Sequence, residues 1–305
     1  MRPMRHLDRY ALRREVRAAA ARLAAAGVAS PENDARLLAE HLLGGPLLLA
    51  DGAGSAFPSA YRSLIARRAA REPLQRILGV MWFRGLELAS RPGVFIVRPE
   101  TEVVAGAAIE AAQRMTDDGA PLVVDLCAGS GAIAAAVAHE VPGARLVAVE
   151  IDETAAALAR ESCERLAPGR VEVVRGDAAD PRVLHELDGR VDVVVSNPPY
   201  VPAGALEDVE TQRYDPEAAL FGGGEDGLAV PRAVVGRAAA LLRPGGVLVM
   251  EHDAGQGRAL RETALAAGFE EVRTGADLTG RDRYLCAVRA TEAPGSDLPD
   301  STHYA

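Results

Sequence analysis

The stretch VVDLCAGSGAIAAAVA, residues 123–138, passes from a β-branched apolar run through Gly129-Ser130-Gly131 into an alanine-rich segment of helical character. Glycines between a strand and a helix permit a tight turn and let the backbone approach a ligand closely, while the helix N-terminus offers free N–H groups. The next apolar run, RLVAVE (145–150), ends in Glu150, about 20 residues beyond the glycines, where an acid can accept hydrogen bonds from both hydroxyls of a ribose. Strand, glycine turn, helix, strand and acid together predict a nucleoside site in a doubly wound α/β sheet. Gly129, Gly131 and Ala134 also satisfy the loose dinucleotide pattern, so the glycines alone leave NAD open. Two further residues favour S-adenosylmethionine. Asp125, one turn before the glycines, is placed to hold a cationic amino group, and Gly176-Asp177, at the end of VEVVRG (171–176), suits an adenine amino group. Asp177 serves equally well as a helix cap.

The same alternation continues on both sides. Apolar strands are expected at 121–126, 145–150, 171–176, 191–196 and 246–251, separated by helices near 130–140, 153–165 and 228–242. Runs of Val and Leu with little alternation suit a parallel sheet covered on both faces. EEVRTGADLTGRDRYLCAVRA, from Glu270, adds two more strands, for about seven in all. The first 75 residues read as helices: Leu12, Val16 and Leu23 share one face, Ser30 and Pro31 open a second helix that stops at Gly44, and a third near 58–71 turns Tyr61, Leu64 and Ile65 inward. Residues 76–99 change period and predict a β-hairpin linker; 100–290 form the large α/β domain, and 291–305 lack periodicity, as a disordered tail does.

Composition narrows the function classes. The chain has 305 residues, 49% hydrophobic and 25% charged, as globular proteins do. No apolar run is long enough to span a bilayer and the charged N-terminus does not resemble a signal peptide. Cys127, Cys163 and Cys286 form no CxxC pair and the histidines are scattered, so neither disulfides nor a metal are expected and the cytoplasm is the natural compartment. All 34 basic residues are arginine, which removes Schiff-base and Walker-A lysine chemistry. Residues 1–90 hold 14 arginines against 8 acids and the remainder 20 against 35. The net charge of −9 argues against a bare nucleic-acid substrate.

VDVVVSNPPYVP, residues 191–202, ends a buried strand in Asn197-Pro198-Pro199-Tyr200. Proline cannot donate to a sheet ladder, so this is a strand stop; it is also a set of acceptors suited to a substrate NH2 group. With PENDARLLAEHLLG, EPLQRILG, FRGLEL, RPETE, DLCAGSGAIAAAVA, YDPEAALFGGGEDGL, LLRPGGVLVMEH and GRDR, the chain resembles the HemK/PrmC-type methyltransferases over about residues 10–290. That family modifies the glutamine of Gly-Gly-Gln in peptide-chain release factors. Val97 before RPETE, Cys127-Ala128 in the glycine turn and the EHDAGQG sequence depart from its usual form.

The resemblance implies a Rossmann-like class I methyltransferase sheet with a small N-terminal helical domain that docks the release factor. It implies S-adenosylmethionine as cofactor, with Asp125, Gly129, Gly131, Glu150, Asp177 and Asn197 in its site. It further implies that Arg98, Glu100 and Glu102 of RPETE line the substrate cleft, unless they form a structural charge network, and that DPEAALFGG helps shape the acceptor pocket. Asn197 and the carbonyl of Pro198 would hold the glutamine amide, with Pro199 beside them and Tyr200 packed on its plane. The rivals are an N-methyltransferase of the same fold acting on a nucleic-acid base, on another protein or on a small molecule, and a non-catalytic nucleoside-binding protein; for the nucleic-acid base, the basic and aromatic target-recognition region is missing from the sequence.

Overall fold

The computed structural model describes residues 6–116, 119–205 and 208–291; the expected tail lies outside them from residue 292 on. β1 (Leu7–Asp8) leads into α1 (Arg9–Ala25), followed by α2 (Pro31–Leu43), β2 (Gly52–Ala53), α3 (Phe57–Ala69) and α4 (Leu74–Leu78), with β1 and β2 paired antiparallel. α1 starts where the Asp8 carboxylate accepts from the Ala11 N–H at 2.7 Å, one of the free donors of a helix N-terminus. Its Leu12, Val16 and Leu23 are buried with Leu38, Tyr61 and Ile65 in a core of their own. α2 has Pro31 at its first position and ends on left-handed Gly44, but the side chain of Ser30 makes no capping bond. Ser30 thus holds the expected N-cap position without a side-chain bond, and Glu32 and Asp34 place negative charge in the first turn. β3 (Val80–Phe83) and β4 (Leu86–Ala89) form the expected hairpin, turning through Arg84 and Gly85 at positive φ.

The larger part runs α5 (Thr101–Arg114), β5 (Leu122–Leu126), α6 (Ala132–Glu140), β6 (Arg145–Glu150), α7 (Glu153–Leu166), β7 (Val171–Arg175), β8 (Val191–Ser196), α8 (Val209–Tyr214), α9 (Ala229–Leu241), β9 (Leu242–Glu251), α10 (Gly257–Ala266), β10 (Phe269–Ala276) and β11 (Asp282–Arg289). Seven strands form one sheet in the order β10-β11-β9-β8-β5-β6-β7. β5 through β9 are parallel, and β11 is antiparallel to both its neighbours. This is the Rossmann-like methyltransferase sheet expected from the resemblance. Val124, Leu126, Val147 and Val149 join Val234, Leu241 and Leu260 of α9 and α10 in one core. The intervening Val123, Ala148, Val193 and Val195 are also fully or almost fully buried, so both sheet faces are covered, as parallel strands require. β9 starts earlier than the expected residue 246 because Leu242 already pairs with Val191.

The chain divides into two compact units. The helical unit takes in the described residues up to Met81, Ala89–Pro92 and 208–215, and the remainder form the sheet unit. Two expected boundaries shift accordingly: the helical unit runs past residue 75, and α8, expected within the large domain, belongs to it. The second shift is electrostatic. Glu210 of α8 accepts from Arg68 at 2.9 Å and from Arg71 at 2.8 Å, and Arg68 also holds Asp34 at 2.8 Å. Arg68 and Asp34 are both buried, and removing one partner of such a pair strands the other charge. Arg68→Ala is expected to cost about 3–5 kcal/mol, read from chemical denaturation; a loss below about 1 kcal/mol, the range of exposed pairs, would contradict this assignment.

Candidate active site

The turn after β5 holds three consecutive odd positions in the left-handed region: Cys127 at φ 66°, Gly129 at 57° and Gly131 at 79°. The two glycines are there for different reasons. A Cβ on Gly129 would meet nothing within 4 Å, and Gly129 lines a cavity of about 310 Å³. A Cβ on Gly131 would lie 3.0 Å from Cys163 Sγ and 3.1 Å from the Ala159 Cα. Gly131 therefore lets α6 pack closely on α7, while Gly129 is the glycine on the cavity side of the turn.

Asp125 is fully buried and is not among the cavity-lining residues. Its Oδ2 accepts from the Ala134 N–H at 3.1 Å, so it caps the first turn of α6 from within the sheet. Its other oxygen makes no hydrogen bond, and burial pushes the carboxyl up to about 8.

Glu150 does face the cavity. Its Oε2 accepts from the Gly129 N–H at 2.7 Å and its Oε1 from the Asp152 N–H at 2.9 Å. Burial raises its pKa, while these backbone donors favour the charged form. The acid at the end of β6 thus fixes the glycine turn at the end of β5. Asp177 is exposed on the cavity rim and accepts from the Ala179 N–H at 2.8 Å, so it caps its own turn while facing the cavity. Phe95, Val149, Ile151, Ala178 and Val230 supply apolar walls. A mostly apolar slot with carboxylates at β6 and β7 has the chemistry of a nucleoside site, and its volume is at the small end of ligand pockets.

Asn197 and Pro199 line the same cavity, whereas Pro198 and Tyr200 are not among its lining residues. Asn197 donates through Nδ2 to the Thr101 Oγ1 at 3.2 Å. Tyr200 donates its hydroxyl to the Glu251 Oε1 at 3.1 Å, and its carbonyl accepts from the Gln256 Nε2 at 2.8 Å. Gln256 also donates to the Asp226 carbonyl at 3.0 Å. The Val201 N–H donates to the Leu220 carbonyl at 2.8 Å and the Gly222 N–H to the Val201 carbonyl at 3.1 Å. A Cβ on Gly222 would stand 2.7 Å from the Pro199 carbonyl, and one on Gly227 would strike the Tyr200 carbonyl. FGGGEDG is glycine-rich because its backbone lies directly on the Asn-Pro-Pro-Tyr segment. Just before it, Pro216, Ala218 and Ala219 line the cavity, in keeping with a pocket-shaping role for DPEAALFGG.

Arg98 and Glu102 are not among the lining residues. The Arg98 guanidinium lies 4.9 Å from the Phe95 ring centroid and donates to the Ile96 carbonyl at 2.8 Å. Glu102 accepts from the Arg84 N–H at 2.9 Å, and Arg84 pairs with Glu140 at 2.6 Å. Thr101, Glu251 and Gln256 went unassigned in the sequence, although Thr101 lies within RPETE and Glu251 is an acid closing a Val/Leu-rich strand. Among the described residues no group of His, Cys, Asp and Glu could hold a metal, and no helix is long and apolar enough to cross a membrane.

Two family models match the chain: a methyltransferase small domain over residues 85–219 and a PrmC N-terminal domain over residues 16–79. The release factor glutamine methyltransferase of Bifidobacterium longum is 44% identical over 287 residues, covering 88% of this chain and 97% of that one. Those of Mycolicibacterium smegmatis and Streptomyces coelicolor are each 46% identical over 282 residues, covering 91% and 90% of this chain and 98% and 97% of theirs. Among solved structures, a T. thermophilus 16S rRNA N2 G1207 methyltransferase in complex with AdoMet and guanosine is 26% identical, with a TM-score of 0.47 over 69% of this chain and 49% of that one.

The packing role of Gly131 has a direct test. Gly131→Ala meets both the left-handed backbone and the wall of α7, and is expected to lower unfolding free energy by about 1–3 kcal/mol in chemical denaturation. Unchanged stability with lost nucleoside binding would instead return Gly131 to the ligand side.

Proposed function

The chain belongs to the release factor glutamine methyltransferase family, and on that premise we propose that it methylates the side-chain amide nitrogen of glutamine in the Gly-Gly-Gln loop of a peptide-chain release factor, using S-adenosylmethionine. The observation that carries this reading is the Asn197 amide at the cavity wall. Its NH2 is taken by Thr101, which leaves its oxygen as the end offered to a substrate donor.

The cavity suits the cofactor. Glu150, Asp177 and Gly129 line it, which supports Glu150 on the ribose hydroxyls, Asp177 on the adenine amino group and close approach of the ligand to the Gly129 backbone. Phe95 and Ile151 supply apolar surface for the base. Asp125 supports this arrangement from behind by fixing the start of α6. When bound, S-adenosylmethionine supplies an electrophilic methyl group on a sulfonium.

The rest of the chemistry falls to this chain. An amide nitrogen is a poor nucleophile because its lone pair is delocalised into the carbonyl. Asn197 Oδ1 and the Pro198 carbonyl accept the two N–H bonds of the glutamine amide, orient the nitrogen and favour the positive charge that develops on it. Proline suits the second task because its φ is fixed and it has no N–H to compete. The Tyr200 ring packs on the amide plane. A nitrogen that has taken the methyl is strongly acidic and sheds its proton to water, so orientation and preorganised dipoles suffice without a strong base. The helical unit, rich in arginine over residues 1–90, serves as the docking surface for the release factor, whose presence sets the enzyme in the cytoplasm.

Labelled S-adenosylmethionine, release factor and mass-spectrometric mapping test the proposal. Methyl is expected on the Gly-Gly-Gln glutamine and on nothing when that glutamine is replaced by alanine; efficient methylation of DNA or RNA instead would overturn the acceptor. Asn197→Ala is expected to lower turnover by about 10²–10³-fold, roughly 3 kcal/mol, as loss of one preorganised partner does, a far larger effect than on S-adenosylmethionine affinity. Near-normal turnover of the folded variant would refute the role given to Asn197.

A further inference from the structure

Below the Asn-Pro-Pro-Tyr segment lies a buried chain of hydrogen-bonding side chains that ends on a carboxyl. Glu251 closes β9 and is 1% exposed. Its Oε1 accepts from the Tyr200 hydroxyl at 3.1 Å. Thr101, fully buried at the start of α5, also favours its charged form. Thr101 in turn accepts from the Asn197 amide at 3.2 Å. We propose that Glu251 is a positioning residue for the methyl acceptor: it holds Tyr200 directly and, through Thr101, fixes the Asn197 amide with its oxygen toward the cavity. This deepens the reading of Asn197 and Tyr200 given above and rests on it.

The direction of the chain follows from elementary donor and acceptor chemistry. An ionised carboxylate only accepts, so the hydroxyls of Tyr200 and Thr101 both turn their protons toward it. With its own proton committed, the Thr101 oxygen presents lone pairs, and the end of Asn197 that can meet lone pairs is NH2. The amide oxygen is therefore the end left for substrate. A proton on Glu251 removes the charge to which both hydroxyls donate. Their hold weakens, and with it the constraint on the Asn197 amide.

The surroundings make that event reachable near neutrality. Burial pushes the Glu251 carboxyl up to about 7, with Thr101, Tyr200 and Arg283 pulling it down and Glu100 pushing it up. Its Oε2 makes no hydrogen bond. Arg283 of β11 is itself held by Asp277 at 3.1 Å. His252, next on the chain, is kept neutral by burial and turns its Nδ1 to the Asp253 carbonyl, while the Asp253 carboxylate binds the Gly255 N–H. A raised carboxyl pKa means the charged, accepting form is present above about pH 7 and is lost as pH falls through that value.

The test compares the full-length wild type with Glu251→Gln, which keeps the volume and removes the charge. Turnover on release factor is measured against pH, alongside S-adenosylmethionine affinity, melting temperature and the 15N side-chain amide signals of Asn197. In the wild type the Asn197 NH2 signals and turnover are expected to titrate together near pH 7. In Glu251→Gln the titration disappears and turnover above neutrality falls by about tenfold or more, with affinity for S-adenosylmethionine and melting temperature unchanged. A Glu251→Gln protein that keeps wild-type turnover and titration overturns the proposal, as does loss of melting temperature, cofactor affinity and turnover together, the mark of a merely structural role. Should Glu251→Gln not fold, Thr101→Val is expected to reproduce the loss and Thr101→Ser to restore it; equal turnover in the two overturns the proposal. The Asn197 signals need no acceptor. Failure of the wild type to methylate release factor would therefore count against the acceptor assignment, while a flat Asn197 titration counts against Glu251.

Discussion

β5 lies inside the seven-stranded sheet with β6 parallel on one side and β8 parallel on the other, and the site depends on that placement. Chain leaving β5 crosses over to β6, while β8 arrives after β7, so the strand order reverses at β5. Where connections diverge in this way, a crevice opens beyond the carboxyl ends of the strands. The residues that follow those ends are Gly129 after β5, Glu150 closing β6, Asp177 after β7 and Asn197 after β8. All four line one cavity. Sites carried by strand ends are held by the ladder itself, which is how backbone rigidity becomes positioning of a few side chains.

Two interactions convert the crevice into a defined pocket. The Glu150 carboxylate on the Gly129 N–H at 2.7 Å locks one strand end to the next. The glycine-rich segment Gly222–Gly227 lies backbone against backbone on Asn-Pro-Pro-Tyr, with Gln256 bridging the carbonyls of Tyr200 and Asp226. Side chains at Gly222 or Gly227 would force the two segments apart. The Asn-Pro-Pro-Tyr side of the pocket is thus shaped by exclusion of Cβ atoms.

Much of this was legible in the residues. β6 and β8 match their expected spans because continuous Val and Leu runs bounded by turn residues leave little choice of period or limits. Glu150, Asp177 and Asn197 were found because each ends such a run. Depth was harder to read. Asp125 and Glu150 are both acids at strand ends, yet one is sealed behind α6 and the other faces the cavity; only the helix packing distinguishes them. Gly129 and Gly131 look equivalent in sequence, and the neighbour that separates them, Ala159, lies on α7. The pairing of Arg68 and Arg71 with Glu210 spans about half the chain and leaves no periodic trace. Thr101 and Glu251 are joined only through the fold, so no local pattern announces them.

We propose that the ends of β5, β6 and β7 bind the nucleoside of S-adenosylmethionine. Titration of 15N-labelled protein with S-adenosylmethionine is the decisive measurement. Saturable shifts are expected in the backbone amides of Gly129, Ile151, Asp152, Ala178 and Ala179, with no comparable response to NAD at the same concentrations. Saturation by NAD at these amides, or S-adenosylmethionine shifts confined to residues away from them, would contradict it.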